Sequence, residues 1–221
     1  MKKEIERKKR AQKLVRKLKE LYPNPESELT WGNNWELLVA IILSAQCTDK
    51  RVNEETAKLF KKYRKLEDYV NTKPLEFEKD IFATGFYRNK TKNILAAAKL
   101  VKKKYKGRLP KTMEEMLTIP GVARKTANVF LGNAYGIYPG IAVDTHVKRL
   151  ARKFDLTDNT NPDKIEKDLM HLIPEKEWPF VNHSMVLYGR YICPARKHDC
   201  IEHPLTQLWP PAGKCFPKAS E

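Results

Sequence analysis

The sequence predicts an all-α fold, and three observations carry that prediction. Apolar residues recur at three- and four-residue intervals along most of the chain. These segments open on Ser, Thr, Asp or Asn and close on Gly or Pro, the residues that cap and stop helices. No run shows the sustained two-residue alternation of a half-buried strand, and no internal repeat is present. With 221 residues, 41% of them hydrophobic, the chain can build one large domain or two small ones.

Taken in order, residues 1–22 read as a basic amphipathic helix with Ile5, Leu14, Val15, Leu18 and Leu21 at helical spacing, ended by Pro23 and Pro25. Residues 31–45 form a strongly apolar, buried helix closed by the polar stretch 44–49. Thr48 or Asp49 then caps a helix carrying Val52, Thr56, Leu59 and Phe60. Residues 66–82 are less regular and lead to an exposed loop, 85–90. In that loop Phe86, Tyr87, Arg88 and Lys90 interleave rings with cations, which suits nucleic-acid contact and equally suits a plain connector with one buried ring. A long helix, 92–105, places Ile94, Leu95, Ala98 and Val101 inward until Gly107 and Pro110 stop it.

The stretch 109–146 organises the rest. Thr112, with Glu115 three residues on, makes a capping-box start after Pro110, and Met113, Met116 and Leu117 supply an apolar face. Pro120-Gly121 breaks this short helix. A second helix opens near Ala123, with Thr126, Val129, Phe130 and Ala134 on one face, and stops around Gly136 and Pro139. The first amides of that helix lack intrahelical partners, so the hairpin offers an anion site, read as a phosphate grip in so basic a chain. The competing reading is an ordinary corner inside a globular domain. Asp144, nineteen positions after Lys125, then caps a helix over 145–154 with Val147, Leu150 and Ala151 inward. Helices over 161–172 and 181–192 follow, the latter with Met185, Val186 and Tyr188, and a turn at 174–178 separates them.

Lys and Arg number 43 against 27 acidic residues, giving a net charge of +16. Small soluble domains usually carry roughly 2 to 8, so this excess predicts a polyanionic partner and salt-sensitive association. The longest apolar run is interrupted by Glu36 and falls short of the ~20 residues that span a bilayer. The first ten residues contain no apolar signal segment. The expectation is a cytoplasmic, nucleoid-associated protein without membrane contact, whose clustered cysteines are metal ligands before they are disulfides.

Four motifs, LLVAIILSAQCTDKRVN, GFYRNKTKNI, IPGVARKTANVFL and AVDTHVKRL, stand in this order and separation. Together they resemble the endonuclease III family of DNA glycosylases, with its helix-hairpin-helix and glycine/proline-rich-aspartate motif, from about Trp31 through Cys200. The resemblance implies two helical lobes flanking a DNA cleft: a six-helix barrel over 28–137, and a second lobe from 1–27 and 138–221. It implies a monomer that binds damaged duplex DNA through the hairpin (Gly121, Ala123, Arg124, Thr126), through Gln46 and the loop at Phe86 and Tyr87, and through Arg88, Lys90, His146, Arg196 and Lys197. Extruding a damaged nucleotide costs a few kcal/mol, which Gln46 and that loop would offset by filling the gap.

By the same resemblance Lys125 is the nucleophile and Asp144 its acidic partner. The amine attacks the sugar, displaces an oxidised pyrimidine and forms a Schiff base whose β-elimination cuts the strand. An ordinary lysine is neutral in only about one molecule in 2,500 at pH 7, so the reaction needs surroundings that favour the neutral amine, such as Arg124 and the positively polarised helix start. Alternatives are an adenine or mismatch glycosylase of the same superfamily and a non-catalytic helix-hairpin-helix DNA-binding protein. Lys125 and the lack of a further C-terminal domain weigh against the first.

Two departures from the family pattern stand out. Ala123 replaces a frequent second glycine, so its φ is expected near the helical value. The family's four cysteines, spaced by six, two and five residues around an iron-sulfur cluster, are kept here only as Cys193 and Cys200; the third place is His203, the fourth Trp209, and Cys215 lies outside the pattern. Three outcomes compete: a cluster or a zinc ion held by Cys193, Cys200, His203 and Cys215, or no metal, with Leu205, Leu208 and Trp209 filling the space. None is required for the proposed chemistry.

Overall fold

Helices account for every regular element of the computed structural model, which describes residues 2–196 and 198–215. In chain order they are α1 (Lys2–Leu21), α2 (Asn34–Leu43), α3 (Asp49–Lys62), α4 (Leu66–Asn71), α5 (Pro74–Asp80), α6 (Tyr87–Tyr105), α7 (Met113–Met116) and α8 (Arg124–Tyr135). They continue as α9 (Thr145–Lys153), α10 (Pro162–Leu172), α11 (Trp178–Leu187) and α12 (Pro204–Leu208). Short 3-10 turns lie at Phe82–Thr84, Glu175–Glu177 and Pro210–Lys214, and a π-helical turn at Tyr188–Ile192. The chain divides into two compact units, 27–137 and 1–26 with 138–221.

The unit 27–137 is built on α2, whose residues 37–43 are all buried, as a helix apolar on every side must be. Asn33 caps it by accepting from the Glu36 N–H, so it begins three residues later than expected. Around it lie Tyr69, Phe77, Ile94, Met116 and Phe130, all fully buried. Segment 66–82, read as irregular, contains α4 and α5; each spans under two turns, too short for helical periodicity to show. The long helix α6 starts at Tyr87 rather than Lys92. The inward face of α8 is Ala127, Phe130 and Leu131, displaced by a residue from the expected one, and Leu117 after α7 is exposed.

In the other unit Ala11, Leu14, Val15 and Leu18 of α1 pack with Leu150, Phe154, Ile165, Leu169 and Val181. Ile5 lies off this face and is exposed. Arg7 and Arg10 both bond the Asp155 carboxylate, at 2.6 and 2.9 Å, and the Asp155 carbonyl, tying α1 to the end of α9. The expected helix over 181–192 begins at Trp178 and loosens into the π turn, where the Cys193 N–H reaches back five residues to the Tyr188 carbonyl.

Candidate active site and C-terminal loop

The hairpin between α7 and α8 is set by its backbone. The Ile119 carbonyl accepts from the Val122 N–H at 3.1 Å, closing a turn in which Gly121 takes φ +80°. A β-carbon there would also meet Asn93 Cβ at 2.8 Å, so both conformation and space require glycine. Ala123 is extended at φ −92°, ψ 172°, not helical as expected, and this conformation costs an alanine nothing. It is the N-cap of α8 and has no capping side chain, so the first-turn amides of α8 are not covered by one. Arg124, Lys125 and Thr126, all half-buried, occupy that turn.

Two further segments of this unit carry strained, exposed side chains. Gln46 and Phe86 both have positive φ, 53° and 48°, and Phe86 is 64% exposed. Non-glycine residues in this region store strain that tends to mark functional segments. Behind Phe86, the Tyr87 ring packs on Phe82 at 4.9 Å and carries the Arg88 guanidinium at 4.9 Å.

Lys90 corrects the sequence reading. Expected in an exposed loop, it is 4% exposed, and its ammonium donates to the Leu43 carbonyl at 2.8 Å and the Thr84 carbonyl at 2.7 Å. It therefore joins the end of α2, which leads to Gln46, to the turn that leads to Phe86. Burial lowers its pKa. The signal was legible: Lys90 lies four residues before Ile94 and eleven before Val101, on the inward face of α6.

Asp144 caps α9, its Oδ1 accepting from the His146 and Val147 N–H groups at 2.8 Å each. The segment before it is held by Asn182 of α11, whose Oδ1 accepts from Ala142 N–H at 2.6 Å and whose Nδ2 donates to the Gly140 carbonyl at 3.3 Å. His146 lies against Gly189, where a β-carbon would come within 2.7 Å of His146 Cβ. Burial lowers the His146 pKa. Sequence reading missed Asn182 and Gly189, because their significance lies in contacts some forty residues away.

Cys193, Cys200 and Cys215 of the C-terminal loop are free thiols, as is Cys47 in the other unit. Side chains of Cys193, His198 and His203 place their ligand atoms within 4.8 Å of one another. The expected set differs: Cys200 and Cys215 are outside this group, and His198 is inside it. Buried Lys153 donates to Cys200 Sγ at 3.3 Å and to the Cys215 carbonyl at 2.7 Å. Trp209, at the family's fourth cysteine position, lies under the Arg10 guanidinium, 3.5 Å from its ring centroid. A cluster needing four thiolates does not fit a donor set of this kind. Burial raises the Cys193 thiol pKa and lowers that of His203. Arg196 is exposed; Lys197 lies outside the described residues.

Comparison with known proteins reads the same geometry from outside. A family model described as HhH-GPD superfamily base excision DNA repair protein matches residues 39–175. The chain belongs to that superfamily. It is 46% identical to Endonuclease III of Synechocystis over 212 residues, 96% of this chain and 97% of the relative. Endonuclease III of Bacillus subtilis is 42% identical over 193 residues, 87% of this chain and 88% of that one. A solved structure of a non-covalent Endonuclease III–DNA complex superposes with a TM-score of 0.89 at 40% identity, covering 94% of this chain and 97% of that one. Within the HhH-GPD superfamily this chain is an enzyme of base excision repair, a DNA glycosylase of the endonuclease III type.

Proposed function

We propose that this glycosylase is bifunctional: it excises oxidised pyrimidines from duplex DNA and cuts the strand by a lyase step through Lys125. The observation that carries the reading is the position of Lys125, in the first turn of α8 directly after the Gly121 turn. There, amides of the hairpin can hold a phosphate while the amine reaches the adjoining sugar. A relative of 40% identity and TM-score 0.89 has been solved as a trapped Endonuclease III–DNA covalent intermediate, which supports a covalent route.

In this scheme the neutral Lys125 amine attacks the sugar C1′, the bond from C1′ to the base breaks, and the base leaves with a proton. The C1′–O4′ bond then opens, O4′ taking up a proton as C1′ becomes an iminium to the lysine nitrogen. This iminium loses a C2′ proton and the C3′–O bond breaks, releasing the 3′ strand with a 5′-phosphate, and water then frees the lysine. Asp144 stabilises positive charge developing on the sugar while keeping its role as the α9 cap. Gln46 and Phe86, exposed and backbone-strained, occupy the space left by the extruded nucleotide. Arg88, Arg124, Thr126, His146, Arg196 and Lys197 contribute contacts to DNA, and the net charge of +16 drives encounter. The enzyme acts as a monomer on cytoplasmic DNA; no helix among the described residues is long and apolar enough to cross a membrane. The C-terminal loop supplies none of the reacting groups.

Borohydride reduction during turnover is expected to trap the wild-type chain on a lesion duplex and not the Lys125→Ala chain. Equal trapping of both would overturn the assignment. Nicking of an abasic duplex without magnesium is the companion assay, and a panel of lesion duplexes tests the preference for oxidised pyrimidines.

A further inference from the structure

We infer that the C-terminal loop is a mononuclear zinc site, with Cys193, His198 and His203 as its three protein ligands and solvent in the fourth position. One soft sulfur and two imidazoles whose ligand atoms lie within 4.8 Å need only a small contraction to meet tetrahedral zinc, whose bonds are about 2.3 Å to sulfur and about 2.0–2.1 Å to nitrogen. The two imidazole rings stack with centroids 5.1 Å apart.

The surrounding structure holds each ligand from behind. Cys193 is fixed by its own N–H to the Tyr188 carbonyl at 2.8 Å and by Arg149, which donates to its carbonyl at 2.6 Å. His198 engages the Arg196 carbonyl through Nδ1 at 2.6 Å, which sets Nε2 as its ligating atom; a carbonyl behind a ligating imidazole is the common supporting contact in metal sites. His203 is the N-cap of α12, with its N–H on the Cys200 carbonyl at 3.1 Å. Its Nδ1 is buried and lacks a hydrogen-bond partner among the described residues, which a metal bond would satisfy.

The same geometry excludes the other two cysteines. Cys200 Sγ takes a hydrogen bond from the Lys153 ammonium, and Cys215 contributes its carbonyl to that ammonium, so the site has one sulfur rather than three. Loss of the third and fourth cysteines has thus replaced a four-thiolate pattern by a Cys-His-His pattern, with His198, which plays no part in the family spacing, recruited as a ligand.

Elemental analysis and X-ray absorption of the full chain, purified without chelator, test this. The expected result is about one zinc per chain, bound by one sulfur and otherwise by nitrogen or oxygen at the distances above. Cys193→Ser, His198→Ala and His203→Ala are each expected to weaken zinc binding at least about tenfold, with helicity unchanged, whereas Cys200→Ser and Cys215→Ser leave it as in wild type. A folded chain that takes up no zinc from a zinc-buffered solution overturns the site. So do iron with acid-labile sulfide, two or more sulfurs around the zinc, or zinc retained fully by His203→Ala. The sulfur count on the native chain decides the matter even where a variant does not fold. Because the readout is metal and not nicking, failure here leaves the lyase reading intact.

Discussion

The hairpin at 119–125 and the loop at 193–209 have both drifted from the family pattern, yet the drift has opposite consequences. In the hairpin the changed residue, Ala123, adopts an extended backbone at φ −92° that needs no glycine, and Gly121 still supplies the left-handed turn. The hairpin works through backbone shape, so any side chain compatible with that shape preserves it. In the loop, the proposed zinc binding rests on the donor atoms themselves. Having His203 and Trp209 in place of cysteine alters what can be held; Arg10 covers Trp209 and Lys153 donates to Cys200.

The largest effect that would sharpen this contrast is at Lys125. Lys125→Ala is expected to lower strand cleavage by at least about 10³-fold, as loss of a nucleophile does, with the melting temperature within a degree or two of wild type. Trp209→Phe, in the loop, is expected to leave cleavage within about twofold. A loss of cleavage in that variant comparable to Lys125→Ala, measured on an abasic duplex, would break the separation between the two regions.

Stability effects come next. Arg10→Met removes a buried guanidinium from Asp155, from two carbonyls and from the Trp209 face. Since Asp155 remains partly solvated, the expected cost is about 2–3 kcal/mol, below the full penalty of orphaning a buried charge. The double variant with Trp209→Ala should lose less than the sum of the two singles by urea denaturation, because they share one contact. Gly121→Ala is expected to cost about 1–3 kcal/mol, from positive φ and the Asn93 clash, whereas Ala123→Gly costs under about 1 kcal/mol. Equal costs at the two positions would contradict the backbone account of the hairpin.

Asp144 separates structure from chemistry on a smaller scale. Asp144→Ala should cost about 1 kcal/mol by losing the α9 cap, and Asp144→Asn should retain most of that stability while losing cleavage. If the asparagine variant cleaves normally, Asp144 is a cap and nothing more. The smallest effect is in acid. Hydrogen bonds from Arg7 and Lys3 lower the pKa of Asp158, so its folded value lies below its unfolded one. Its contribution is present above the unfolded value, about 4, and is lost as pH falls through the folded value. Asp158→Asn should therefore flatten stability slightly in that acid window and leave neutral pH almost unchanged.

Much of this molecule is legible in the chain because it depends on local chemistry. Helical spacing identifies α1, α3, α8 and α10. Thr48, Thr112, Asp144 and Asn161 all cap helices as their residue types suggest, and Pro120-Gly121 marks the turn. Three decisions needed tertiary structure. Helical spacing marks the face on which Lys90 lies, but not the partners that let its ammonium stay there. Lys90 turned inward because the carbonyls of Leu43 and Thr84, remote in sequence, converge on its helix face and compensate a buried ammonium. His198 lies with Cys193 and His203 because the loop brings together residues whose spacing matches no pattern, while Cys200 lies outside that group with Lys153 donating to its sulfur. Asp144 owes its setting to Asn182, which pins the segment before it by a bond to Ala142, forty residues earlier. Caps and turns are read from neighbours along the chain; the partners of a buried charge or a metal ligand are chosen by packing, which a linear pattern does not record.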